Sequence, residues 1–212
     1  AELRDHTWQA RFLGAVAEAS FRCGEPQVIE GPDGFPYFQL LLPEPETAFQ
    51  CYVLDKIQGD FLLEHGLGVA VNPDRGTPDW VFTYGDIVNY HLCGEFYSPM
   101  DENHDPSGCE TIKKEEDVLV GQPAEDLLPA AARRAIRAHL IKLGLNDPKV
   151  LLMARNKDGK TINELVFNLT PDLFPTEEQY HAVMLSLGWF LPRHYTYVSL
   201  RGSDFVGDFQ DL

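Results

Sequence analysis

Positive charge is scarce in this chain: 17 lysines and arginines stand against 33 aspartates and glutamates, a formal charge of −16 over 212 residues. A field of that sign repels phosphate backbones and anionic headgroups, so nucleic acid and membrane surfaces are poor partners. Another protein, a basic one, is the partner such a surface draws in fastest, while plain solubility is the blander consequence of the same charge. Long apolar runs are missing too. None approaches the ~18 residues of a spanning helix, and the opening segment AELRDHTWQA has neither the basic nor the apolar region of a signal peptide. Cysteine is confined to Cys23, Cys51, Cys93 and Cys109. A chain of this length buries roughly 70% of its unfolded surface without covalent staples, so reduced thiols in a cytoplasmic protein are the expectation, not a disulfide scaffold. Phosphate-binding loops of the types G-x-x-x-x-G-K-S/T and strand-borne G-x-G-x-x-G are lacking, which leaves nucleotide chemistry unindicated and no cofactor expected.

What is present is an ordinary globular composition, 44% hydrophobic and 11% aromatic, with clear punctuation. The spacing predicts a helix over 5–22, with Trp8, Phe12, Leu13, Val16 and Ala19 as its apolar stripe and Gly24 past its end, packed on a sheet. Extended segments over 27–30, 37–42 and 48–53 are expected as a meander, separated by Gly31-Pro32-Asp33-Gly34 and Pro43-Glu44-Pro45. A helix over 55–65 closed by Gly66, strands over 67–71 and 80–83, and a helix capped by Asp86 running to Cys93 complete the first half. Between 97 and 116 few apolar residues remain, which marks a linker between domains at 1–96 and 117–212.

The second half predicts a strand over 118–120, then a helix over 129–143 with the stripe Leu128, Ala132, Ile136, Leu140 and Leu143 ended by Gly144. Strands over 150–154 and 162–167 follow, joined through Asn156 to Lys160. Thr176 and Gln179 cap a helix bearing Tyr180, Val183, Met184, Leu187 and Leu191, and a strand over 195–200 closes the series. The fold class is therefore α+β: an N-terminal α/β half with a mixed or antiparallel sheet, and a C-terminal half in the ferredoxin-like order β-α-β-β-α-β, four antiparallel strands under two helices. Such a fold hosts many unrelated activities.

The run Val118, Leu119, Val120, Gly121, Gln122, Pro123, Ala124 and Glu125, a long helix, and then a strand at Lys149, Val150, Leu151 and Leu152 resemble the C-terminal domain of the SseB (enhanced serine sensitivity) family. Gly68 to Pro73 is similar to a strand-ending Asn-Pro in that family's N-terminal region. The resemblance implies a two-part bacterial cytoplasmic protein with no established catalytic residues, and so none to carry over.

Four residue groups invite chemistry. His91, Cys93, His104 and Cys109 are borderline-to-soft donors within nineteen positions, but the H-x-C spacing aims a pair of ligands apart, unlike the C-x2-C knuckle of zinc sites. Among the thiols, Cys23 and Cys93 fall near predicted helix C-termini, where the dipole opposes a thiolate; Cys51 reads as core and Cys109 as loop. Trp189, Phe190, Arg193, His194 and Tyr195 place aromatics around a cationic pair at a helix-to-strand turn, the residue types of interface hot spots, although core packing of Trp189 or Phe190, with Tyr195 and Tyr197 on one face of the last strand, is the favoured account. Phe205, Val206, Phe209 and Leu212 give the acidic tail an amphipathic-helix spacing that would dock on its own domain. The leading expectation is a non-enzymatic bacterial protein-interaction or regulatory module, with an acidic immunity or inhibitor protein as its concrete form. The rivals are an enzyme with a site assembled from distant residues and a zinc-binding module on the His91/Cys93/His104/Cys109 group.

Overall fold

A computed structural model describes residues 5–99, 118–157, 160–200 and 209–212. The chain divides into two compact units, 1–97 and 98–212. The expected linker at 97–116 lies outside the described residues beyond its first three positions.

In the first unit, α1 (His6–Val16) starts where the Asp5 carboxylate accepts the Trp8 backbone N–H at 2.9 Å. The helix is shorter than its apolar stripe predicts. Phe21 exchanges backbone hydrogen bonds of 2.8 and 2.7 Å with Tyr52, and β1 (Arg22–Glu30) begins at the next residue. Strand pairing thus captures backbone that the 3.6-residue period had assigned to helix. Gly24 does not terminate a helix: it lies within β1, where an added Cβ would stand 2.6 Å from the Gln39 side chain. Its small size permits close approach.

β1 pairs antiparallel with β2 (Pro36–Leu41), β2 pairs parallel with β3 (Gly68–Val71), and β3 pairs antiparallel with β4 (Trp80–Phe82). The expected third strand of a meander, 48–53, contributes a single bridge at Tyr52. A parallel β2–β3 pair needs a crossover, supplied by α2 (Leu54–Ile57) running into a π-helical turn, Gln58–Leu63. Register puts Phe38, Val69 and Phe82 side by side on one sheet face, all fully buried. α3 (Tyr84–Cys93) is capped by Thr83, not Asp86: the Thr83 hydroxyl accepts the Asp86 N–H at 3.2 Å, and the Asp86 carboxylate accepts the Thr83 N–H at 2.9 Å. This reciprocal box satisfies two orphan donors at once.

In the second unit, β5 (Val118–Gly121), β6 (Lys149–Lys157), β7 (Lys160–Phe167) and β8 (Thr196–Ser199) lie in chain order. The expected ferredoxin-like sheet is all antiparallel, whereas here β7 and β8 run parallel, Leu165 beside Tyr197 and Val166 beside Val198. α5 (Glu177–Leu187) carries the chain back between them, so β7-α5-β8 is a βαβ crossover between adjacent strands. The order of elements is the same for either topology; only the pairing separates them. The tail also departs from expectation. Gln210–Asp211 forms β9, which pairs with β6 at Lys149 and Val150, and Leu212 is buried. Phe209, just before β9, packs against Leu151, Met153 and Val166 of the sheet; Phe205 and Val206 lie outside the described residues.

α4 (Ala130–Lys142) buries Ala132, Ile136 and Leu140, with Leu128 beneath its start, as the stripe predicts. Leu143 is the exception, 48% exposed. Gly144 turns left-handed at φ 88°, its N–H donating to the Ile141 carbonyl and that of Leu145 to the Leu140 carbonyl. This is a Schellman turn, which brings Leu145 onto the core in place of Leu143.

Candidate binding site

The α1 helix lies over one edge of the first sheet and leaves a groove. Trp8 and Phe12, four residues apart and so on one helix face, stack with ring centroids 5.1 Å apart and planes 9° from parallel. Both also meet Trp80 of β4, at 6.0 and 5.2 Å. Further along the same face the helix carries Ala15 and, past its end, Ala19, too small to fill the space that Trp8 and Phe12 open. The result is a cavity of about 320 Å³, walled by Trp8, Phe12, Val16, Phe21 and Val71.

Its polar end is built on one residue. Asn72 is 3% exposed and sits in the left-handed region at φ 51°, as short polar side chains tolerate. Its Oδ1 accepts the Leu42 N–H at 2.9 Å, and its Nδ2 donates to the Asp79 carboxylate at 2.7 Å. The Asn72 N–H donates to the Leu40 carbonyl and the Asp79 N–H to the Val71 carbonyl, both at 2.8 Å. The peptide on either side is thereby fixed, and Asp79 enters the cavity lining as a tethered carboxylate. It is the one ionisable side chain among the ten described residues that line the cavity. Aromatic and aliphatic walls with a polar end suit a guest with an apolar body and a polar tip.

A second cavity, of about 240 Å³, lies in the other unit between Leu127, Leu152, Leu165, Asn163, His194, Tyr195 and Thr196. It gathers two of the residues singled out at the helix-to-strand turn. The Tyr195 hydroxyl donates to the Leu127 carbonyl at 2.8 Å, so its proton is already engaged. Arg193 is exposed beside them. Trp189 and Phe190 are buried, at 6% and 5% exposure, edge to face with one another, and Phe190 packs on the His139 ring.

Among the described residues, His139 and Ser186 stand closest to a nucleophile-and-base pair, Nε2 to Oγ at 2.8 Å. The Ser186 hydroxyl donates its proton to the Val183 carbonyl at 2.6 Å, which makes His139 the donor to Ser186. A base must accept there. The pair is an interhelical clamp, and burial pushes the imidazole pKa below its ordinary value, with Lys142 adding to the effect.

His91 Nδ1 is 2.8 Å from Gln58 Oε1 and the Cys93 thiol donates to the Asn89 carbonyl at 3.0 Å; His104 and Cys109 lie outside the described residues. Among the described residues no three His, Cys, Asp or Glu side chains gather as metal ligands would. Cys23 is half-buried, with the Gln27 amide 3.5 Å from its sulfur, and Cys51, expected in the core, is exposed. No described helix is long and apolar enough to cross a membrane.

The groove was hidden in the sequence because its signal is an absence of bulk. Trp8, Phe12 and Val16 read as a core stripe, and nothing local tells that Ala15 and Ala19 leave the stripe half-filled. Asn72 read only as the stop of a strand; its tie to Asp79 spans seven residues and depends on the fold.

Compared with protein-family models, with curated proteins and with solved structures, the chain matches none.

Proposed function

We propose that the chain is a non-enzymatic protein-interaction module, in which the groove beneath α1 seats an anchor side chain projected by a basic partner protein. The observation that carries this reading is the aromatic-walled cavity with Asp79 tethered at its polar end. Its volume, near the lower bound of ligand pockets, suits one side chain of a larger partner. The formal charge of −16 supports the same reading from a distance, since it accelerates encounter with a basic surface. An immunity or inhibitor protein of bacterial cytoplasm is the concrete form, in keeping with the resemblance of 118–152 to SseB-type domains. Arg193, His194 and Tyr195, beside the second cavity, offer a further contact surface, with Trp189 and Phe190 packed behind them.

Affinity capture from native extract, run with the wild type and with Ala15→Trp, tests the proposal, because a bulky ring at the exposed Ala15 fills the groove from its rim. The wild type is expected to retain a basic protein at low salt and release it as ionic strength rises through about 0.15 M, where screening shortens to about 8 Å. Ala15→Trp, at unchanged melting temperature, is expected to retain little. Equal retention by the two proteins, or retention insensitive to salt, rejects the proposal.

A further inference from the structure

We infer that the second unit pairs with a second copy of this chain about a two-fold axis, the basic outer face of α4 on each protomer meeting the acidic outer face of α5 on its partner. This surface shares no residue with the groove beneath α1 and is independent of it. Along Ala130–Lys142, α4 carries Arg133, Arg134, Arg137 and Lys142 and no acid, in a chain whose formal charge is −16. Arg133 is used inside the unit, its side chain donating to the Leu128 and Pro123 carbonyls. Arg134, Arg137, Ala138, Ile141 and Lys142 follow one another at the spacings of a single helix face, opposite the buried Ala132, Ile136 and Leu140. Arg134 is engaged within the chain, while Arg137 and Lys142 make neither an ion pair nor a side-chain hydrogen bond among the described residues. Ile141 stands on the same face, 48% exposed.

The complement lies on α5. Glu177, Glu178, His181 and Leu185 share its outer face by the same spacing, opposite the buried Val183 and Leu187, and Leu185 is 75% exposed. Carboxylates in the first turn of α5 and Lys142 in the last turn of α4 each complement a helix dipole. The dipole gives no reason for Arg137 in mid-helix, nor for Ile141 and Leu185 set among charges. Nε2 of His139 and Oγ of Ser186, 2.8 Å apart, join the two helices near their C-terminal ends, so the basic and acidic faces are neighbours on one unit. A two-fold rotation lays each face on its opposite at once, the isologous arrangement in which every contact is made twice. An unrelated acidic protein would complement α4 alone. The charge of −16 on each copy repels at long range, but at ~0.15 M salt that repulsion is screened beyond about 8 Å, whereas facing side chains pair within about 4 Å. Helices of 13 and 11 residues present a face ~20 Å on a side. That is small for a specific interface, so dimerisation at micromolar and higher concentrations is expected.

Sedimentation velocity of the full chain from about 1 to about 500 µM in ~0.15 M salt tests the inference. The wild type is expected to pass from monomer to dimer across this range. Leu185→Asp, at a site exposed enough to leave the melting temperature unchanged, is expected to weaken dimerisation about tenfold or more. Arg137→Glu with Lys142→Glu turns the outer face of α4 to net negative charge. Glu177→Lys with His181→Lys turns that of α5 to net positive charge and leaves Glu178 at the helix start. Each of these two variants, at a melting temperature near that of the wild type, is expected to stay monomeric by itself, since like charges then face one another. An equimolar mixture of the two is expected to form a heterodimer, because both of its contacts again join opposite charges. A wild type that stays monomeric throughout the range overturns the inference. So does a dimer that survives Leu185→Asp or either charge reversal, which would use another surface, and so does a mixture that associates no more than its components.

Discussion

Asn72 donates to the Asp79 carboxylate at 2.7 Å from a backbone held at φ 51°. One buried amide thus accepts from the Leu42 backbone and donates to the carboxylate of the groove, in a conformation that a β-branched or bulky residue would resist.

Replacement of Asn72 separates the two roles. Asn72→Ala loses both side-chain bonds and keeps an unfavourable φ, with an expected cost of about 2–4 kcal/mol in urea denaturation. Asn72→Gly loses the same bonds but relaxes the backbone, so its cost should be smaller by about 1 kcal/mol. Equal costs would show that the left-handed conformation contributes nothing.

Arg155 and Glu164 form a buried bidentate pair, Nε to Oε2 at 2.7 Å and an NH2 to Oε1 at 3.0 Å, on the sheet face that also holds Leu151, Met153 and Val166. Glu164→Ala removes this bidentate pairing from a buried guanidinium, and about 3–5 kcal/mol of destabilisation is expected. Arg155→Met combined with Glu164→Leu should recover most of that loss. A double variant as unstable as the single one would mean that the pair does more than satisfy itself.

His139 gives the second unit a pH dependence. Burial holds its pKa below the ordinary 6.5, so the unfolded chain binds this proton more readily than the folded one. Stability from this residue is complete above about pH 6.5 and is lost as pH falls through the depressed folded value. Unfolding midpoints of the wild type are expected to drop between pH 7.5 and 5.0, and His139→Gln, which keeps a donor for Ser186, should flatten that slope. An unchanged slope in the variant would remove His139 as its source.

At the end of α4, Leu145→Ala should cost about 2–4 kcal/mol and Leu143→Ala less than about 0.5 kcal/mol, since the first is buried and the second half-exposed. Thermal denaturation of the two variants decides it. The reverse ranking would restore the helical stripe drawn from the sequence.

That last pair marks where the sequence could be read. Elements announced by local chemistry stand close to their expected places: α4 with its four-residue spacing, α5 behind Thr176, the strand ending at Asn72-Pro73 and the exit of α3 at Gly94. Errors fall where a distant partner overrode a local period. Phe21 took Tyr52 and shortened α1, Gly24 served the approach of Gln39, and Gly144 exchanged Leu143 for Leu145. Of the singled-out residues, His194 and Tyr195 reach a cavity while Trp189 and Phe190 turn inward, a division that aromatic composition alone does not express.

What the amino-acid order settled by itself is the mixed α and β character, most of the helices and strands, and the acidic field, because each of these follows from neighbours within a few turns or from a sum over residues. The tertiary structure alone decided that β7 lies parallel to β8, that the tail adds a strand, and that Ala15 of α1, Ala19 just past it and Asn72 frame a groove. Strand pairing and cavities are relations between segments far apart in the chain. Their energies come from backbone hydrogen bonds and side-chain volumes that meet only after folding.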